Sequence, residues 1–165
     1  MKKLFILSIL FFSYTTYSQT AKEYFDIAYD KAELKDHYGA IADLNKAIEL
    51  NPDYTDAYYN RGIAKDELKD YNGAIADFNK AIELNPNDDD AYYNRGRSKH
   101  SLKDHSGAIV DYTKAIELNP SSHSYNNRGD AKEELGDLDG ACSDWKKAAN
   151  FGHTNAKKWV ANQCN

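Results

Sequence analysis

Gly73-Ala-Ile-Ala-Asp-Phe-Asn-Lys-Ala-Ile-Glu-Leu-Asn-Pro86 is the stretch on which the fold of this chain turns, because the chain repeats it. The run recurs at Gly39 to Pro52 with Leu44 in place of Phe78. It recurs again at Gly107 to Pro120, with Val110, Tyr112 and Thr113 as the changes. Both steps are 34 residues. A fourth, decayed copy keeps Gly140, Ala141, Asp144, Trp145 and Ala148. A fixed period of this length marks stacked helix-turn-helix units, each too small to bury its own apolar face.

Two helices fit inside one period. In the first unit Tyr24, Ile27, Ala28 and Lys31 recur at steps of three and four, which makes one face of a helix from Ala21 to Leu34. Lys35-Asp36 interrupts the pattern. Ala40, Ile41, Leu44, Ala47 and Ile48 then make one face of a second helix, from Tyr38 to Leu50. Asn51-Pro52 ends it, because proline cannot continue a helix and disfavours helical geometry in the residue before it. Pro52, Pro86 and Pro120 are the only prolines, and all three stand at this boundary. The units therefore run over about 21–54, 55–88, 89–121 and 122–153. After Asn150-Phe151-Gly152, a helix stop, a capping helix over 154–165 is expected to turn Ala156, Trp159, Val160 and Gln163 inward, since repeat arrays need their last apolar face covered. The expected class is all-α, an α-solenoid of about nine helices.

The start of the chain reads differently. Met1-Lys2-Lys3 is followed by an apolar run from Leu4 to Phe12 and a polar, uncharged stretch to Ser18. That is the layout of a secretory signal peptide, too short to span a bilayer. Cleavage is expected after Ser18. The mature chain is then exported, periplasmic or secreted, into a compartment where thiols oxidise. The net charge of −5 and the lack of a basic run argue against binding nucleic acid. A mean hydropathy of −0.80 argues against membrane insertion of the mature chain.

Gly62, Gly96 and Gly129 fall inside helices, where glycine costs about 1 kcal/mol against alanine. Close approach of the paired helix, with Ala74, Ala108 and Ala141 as the opposing small surface, is the expected reason. Arg61, Arg95 and Arg128 each precede one of these glycines, and Asp43, Asp77, Asp111 and Asp144 recur on the second helices. An Arg–Asp ladder between packed helices is expected, with anion capture as the alternative.

These residues carry a resemblance to the tetratricopeptide repeat family. Its aromatic position is filled by Tyr24, Tyr58, Tyr92 and Tyr125, and its small first-helix position by Ala28, Gly62, Gly96 and Gly129. Its second-helix pattern is filled by Ala40, Leu44 and Ala47, by Ala74, Phe78 and Ala81, by Ala108, Tyr112 and Ala115, and by Ala141, Trp145 and Ala148. Lys31, Lys65, Lys99 and Lys132 depart from it, standing where the family often has tyrosine. The resemblance implies a right-handed superhelix with a concave groove lined by first helices. It also implies which residues face inward: Phe25, Tyr59, Tyr93 and Asn126, each followed by Asp26, Asn60, Asn94 or Asn127. One turn on come Tyr29, Ile63, Arg97 and Asp130, then Asp66, Glu67, His100, Glu133 and Glu134. A row of Asn60, Asn94 and Asn127 offers both donors and acceptors to an extended peptide backbone, or else ties neighbouring helices together. The acidic end favours a neutral or basic protein segment. Some members clamp a terminal carboxylate with basic residues around such an asparagine. Here Phe25, Tyr29, Asp90 and Asn94 stand around Asn60 instead, so that specificity is not expected.

The remaining constellations are bland. A slot holding His37, Tyr71, His105 and Leu138 packs a turn, and His100, His123 and His153 share no ligand spacing, so no metal is expected. Asp88-Asp89-Asp90 reads as a helix start favoured by the helix dipole. No catalytic motif is present, and the carboxylates Glu33, Asp66, Glu67, Glu133 and Glu134 recur with the repeat as a surface does. No catalytic residue and no cofactor is therefore expected. Cys142 and Cys164 stand 11 residues on either side of His153, the turn of a helical hairpin, and are expected to form a disulfide. The functional expectation is a non-enzymatic protein-interaction module. The alternative is a structural subunit docking laterally in a cell-envelope assembly, which a large apolar patch on the convex face would favour.

Overall fold

The computed structural model describes residues 19–164, so the leader expected at 1–18 lies outside the described residues. Among those, nine α-helices run in order: α1 (Ala21–Glu33), α2 (His37–Leu50), α3 (Thr55–Glu67), α4 (Tyr71–Leu84), α5 (Asp89–Ser101), α6 (His105–Leu118), α7 (Ser122–Glu134), α8 (Leu138–Asn150) and α9 (Thr154–Gln163). They pair as α1 with α2, α3 with α4, α5 with α6 and α7 with α8, and each pair packs on the next. Successive first helices also touch, α1 with α3, α3 with α5 and α5 with α7. That places the first helices on the inner side of the curve.

Local chemistry makes each turn. Lys35, Lys69 and Lys103 take a left-handed conformation with φ of 62 to 65°, and Gly136 does the same in the fourth pair. The next residue, Asp36, Asp70, Asp104 or Asp137, caps the second helix by accepting the backbone N–H of Gly39, Gly73, Gly107 or Gly140. A Cβ on Gly39 would lie 2.1 Å from the Asp36 carboxylate, so the capping aspartate and the glycine select one another.

Between paired helices the core is alanine on one side and one large ring on the other. Ala40, Ala74, Ala108 and Ala141 are wholly buried, as are Leu44, Phe78, Tyr112 and Trp145. The in-helix glycines owe their place chiefly to these rings, not to the alanines opposite. A Cβ on Gly62 would lie 2.7 Å from the Phe78 ring, one on Gly96 2.8 Å from Tyr112, and one on Gly129 2.6 Å from Trp145. At Gly129 the carbonyl oxygen of Ala141 is close as well, at 3.3 Å.

The Arg–Asp ladder is present and reaches further than a pair. Arg61 makes a two-pronged contact with Asp77 at 2.6 and 2.9 Å, and Lys65 adds a third at 2.7 Å. Arg95 and Lys99 hold Asp111, and Arg128 and Lys132 hold Asp144, in the same way. The aspartates are buried, so each charge is neutralised where water cannot help. The remaining guanidinium arm crosses to the preceding pair, reaching Asn45, Asn79 and Thr113. Each arginine also lies over a tyrosine of its own helix, Tyr58, Tyr92 or Tyr125, at 5.3 to 5.7 Å. The lysines that depart from the family pattern are thus partners of the buried aspartates. In α1 the arginine position is Ile27, and the Lys31–Asp43 pair alone remains.

α9 folds back on α8 through Gly152, whose φ is +91°. His153 caps it with its ring nitrogen Nδ1 on the N–H of Ala156. Ala156 is buried and Trp159 lies 5.3 Å from Trp145, whereas Gln163, expected to face inward, is exposed. The Cys142–Cys164 disulfide joins the two helices with 5.5 Å between Cα atoms.

Candidate functional site

Four first helices present the same ring of positions to the inner face, but neighbours give those positions different work. Tyr59 packs its ring on Phe78 at 6.0 Å, and Tyr93 on Tyr112 at 5.9 Å. Their hydroxyls point to the next helix and accept hydrogen bonds from the side-chain amides of Asn94 and Asn127, both at 3.0 Å. Burial, with Asp90 and Asp88 nearby, pushes the Tyr59 hydroxyl up to about 12 against the pull of Asn94, so it stays neutral. Burial likewise pushes Tyr93 up. Asn94 is buried and also serves the carbonyl of Asp90 and the guanidinium of Arg97. These two asparagines tie α3 to α5 and α5 to α7.

Asn60 is different. The position opposite it on α1 is Phe25, which has no hydroxyl and packs on Tyr54 at 5.1 Å. Asn60 gives its amide N–H to the Asp56 carbonyl of its own helix, and its Oδ1 has no hydrogen-bond donor among the described residues. It lies on a cleft of about 400 Å³ between α1 and α3. Tyr29, Ala32, Ile63 and Ala64 supply apolar wall, and Glu33 and Glu67 stand at its rim, with Lys35 and His37 beside them. Tyr29 is 53% exposed.

The other end of the inner face is polar and largely spoken for. Arg97 lines a smaller cleft of about 180 Å³ with His100, Ser101, Tyr112, Asn127 and Asp130. Its guanidinium sits 3.6 Å from Asp66, which also accepts from Ser98. Asn126, expected to face the groove, is buried and donates to Asp130. Asp130 also accepts the Trp145 indole N–H at 2.8 Å. Burial pushes the Asp130 carboxyl up despite these two donors. The substitutions of the fourth unit explain one another: a tryptophan in the ring position needs an acceptor, and Asp130 supplies it.

Two histidine pairs escaped the sequence reading. His100 and His105 meet edge to face at 4.8 Å, and His123 and His153 at 5.5 Å. Burial and the neighbouring His105 lower the basicity of His100. The first pair spans one inter-helix turn, a signal present in the sequence as a five-residue step. No cluster of three or more candidate ligand side chains that could hold a metal occurs among the described residues.

On the outer side, Lys46–Glu49, Lys80–Glu83 and Lys114–Glu117 repeat as exposed ion pairs along the second helices. Val110 on α6 is exposed.

Comparison with known proteins bears on this geometry. A family profile described as tetratricopeptide repeat matches residues 55–88 and 89–122, and a second, described as TPR repeat, matches 29–65. A crystal structure of MamA superposes with a TM-score of 0.78 at 30% identity, covering 83% of this chain and 81% of that one. MamA residues 41 to the end from Desulfovibrio magneticus RS-1 give a TM-score of 0.76 at 21% identity, with 79% and 75% coverage, a likeness of fold. The first TPR of Spaghetti (RPAP3), bound to the HSP90 peptide SRMEEVD, gives 0.70 at 26% identity, covering 72% of this chain and 95% of that one. No curated protein sequence matches the chain.

Proposed function

The chain belongs to the tetratricopeptide repeat family, a fold of protein-interaction scaffolds, and from that premise we propose that it binds an extended segment of a partner protein on its inner face, chiefly at the α1–α3 end. The observation that carries this reading is the contrast between Asn60 and its two counterparts. Asn94 and Asn127 give their amide N–H groups to the hydroxyls of Tyr59 and Tyr93 on the neighbouring first helix, whereas Asn60 gives its own only to the Asp56 carbonyl within α3. Asn60 keeps an open carbonyl oxygen beside a cleft large enough for a side chain. An incoming main-chain N–H would pair with that oxygen whatever the partner's sequence.

The role is non-enzymatic and the protein is exported to the periplasm or beyond. The leader layout at the N-terminus and the Cys142–Cys164 disulfide both support export. The segment bound is neutral or basic, because Glu33 and Glu67 stand on the α1–α3 cleft without basic partners among the described residues, and Glu133 and Glu134 close the corresponding end of α7. An acidic ligand such as the peptide bound by the RPAP3 repeat domain would meet repulsion there. Lateral docking through the outer face draws little support from a surface of repeated Lys–Glu pairs.

The test is capture of partners from the native envelope by the wild type, Asn60→Ala and Asn94→Ala, each with its melting temperature. Asn60→Ala should lose partner and keep its melt. Asn94→Ala should melt earlier, because Tyr59 loses its tie to α5. Capture unaffected by Asn60→Ala would reject the reading.

A further inference from the structure

The chain shows three times how it holds an arginine. The guanidinium lies over a tyrosine ring and is met at its edge by a carboxylate: Arg61 with Tyr58 and Asp77, Arg95 with Tyr92 and Asp111, Arg128 with Tyr125 and Asp144. The α1–α3 cleft assembles the same parts on the inner face. The Tyr29 ring is half exposed at its wall, and Glu33 and Glu67 stand at its rim. Neither glutamate is paired with a basic side chain among the described residues, although Lys35 lies on the same rim. Both glutamates are also the last residues of their helices, α1 and α3, where the helix dipoles add negative potential. Ala32, Ile63 and Ala64 offer apolar wall for an aliphatic stem.

We propose that this cleft is a subsite for a single basic side chain, arginine above lysine, of the bound segment. The stem lies along Ile63 and Ala64, and the cationic head rests over Tyr29 between Glu33 and Glu67. Arginine is preferred because its flat, weakly hydrated guanidinium stacks on a ring and meets two carboxylates at once. This rests on the groove reading above and sharpens it. Asn60 holds the main chain and the neighbouring cleft reads one side chain.

The test uses short capped peptides, so it needs no identified partner. Acetyl-Ala-Arg-Ala-amide, acetyl-Ala-Lys-Ala-amide, acetyl-Ala-Ala-Ala-amide and acetyl-Ala-Glu-Ala-amide are titrated into the protein by heteronuclear NMR. The arginine peptide should shift the amides of Tyr29, Asn60 and Ile63, bind more tightly than the other three, and weaken as salt is raised. Glu33→Gln with Glu67→Gln, and separately Tyr29→Ala, should each weaken it by about five-fold or more at an unchanged melt. Equal binding of the alanine peptide, shifts confined to α5 and α7, no shift at all, or indifference to the double glutamine variant would each overturn the proposal. The capture experiment separates the two readings. Partner capture that needs Asn60 but not Glu33 and Glu67 leaves the groove standing and removes the basic subsite. An arginine peptide in this cleft, with partner capture indifferent to Asn60, does the reverse.

Discussion

Asp144 shows how single residues hold this array together. Its carboxylate is buried under Arg128 and Lys132. Burial pushes the acid up, but the hydrogen bonds from those two cations outweigh it and hold Asp144 below its ordinary value. The sign of the pH effect follows. With the folded value depressed, the unfolded chain binds more protons at mildly acidic pH. The stabilisation is therefore complete above about pH 4, the ordinary carboxylate range, and is lost as pH falls through the lower folded value. Thermal melts of the wild type and Asp144→Asn across pH 2 to 7, in steps of about half a unit, isolate this group. The wild type's advantage should be constant above about pH 5 and should shrink below about pH 4. An advantage that persists unchanged to the acid end would refute the assignment.

At the scale of the element, the inter-helix turn and the last helix teach different lessons. The turn was only half legible. Lys35-Asp36 reads as a break, but the left-handed lysine and the aspartate capping Gly39 follow from backbone geometry that hydrophobic periodicity does not report. The last helix was legible in a different way. Counting residues from His153 placed Cys142 opposite Cys164, and their Cα atoms are 5.5 Å apart. The inward face of α9 extends one turn less than expected: the helix ends at Gln163, which is exposed. The disulfide fastens a helix whose one wholly buried residue is Ala156. Removing it with Cys142→Ser and Cys164→Ser should cost about 2–4 kcal/mol by the loop-entropy account. Hydrogen exchange should show the loss concentrated in α8 and α9, with α3 to α6 still protected. A loss spread evenly over all helices would mean the staple serves the whole stack.

Across the whole molecule, the stack is closed at its first end by substitution at fixed positions. Ala57, Ala91 and Ser124 are buried where each pair meets the one before it, and the same position in α1 is the exposed Glu23. Ala64, Ser98 and Ala131 are buried likewise, and α1 has the exposed Asp30. A polar outer face of this kind keeps a repeat array from stacking on itself. The sequence displayed the period, the helices and the ladder, because each recurs and recurrence can be counted. It hid which asparagine is left untied to the helix before it, because that depends on one atom, the hydroxyl that Tyr59 and Tyr93 have and Phe25 lacks.

That atom also offers the most direct measurement. Phe25→Tyr should bring a hydroxyl across from Asn60, as Tyr59 brings one to Asn94, accept the Asn60 amide N–H and so draw the side chain onto α1 and its Oδ1 away from the cleft, at no cost in stability. Partner capture from the native envelope should then fall by about five-fold, the worth of one hydrogen bond of about 1 kcal/mol, while the melting temperature holds or rises. Undiminished capture by Phe25→Tyr, with the Asn60 side-chain amide resonances showing it engaged by the new hydroxyl, would contradict the claim that Asn60 holds the partner.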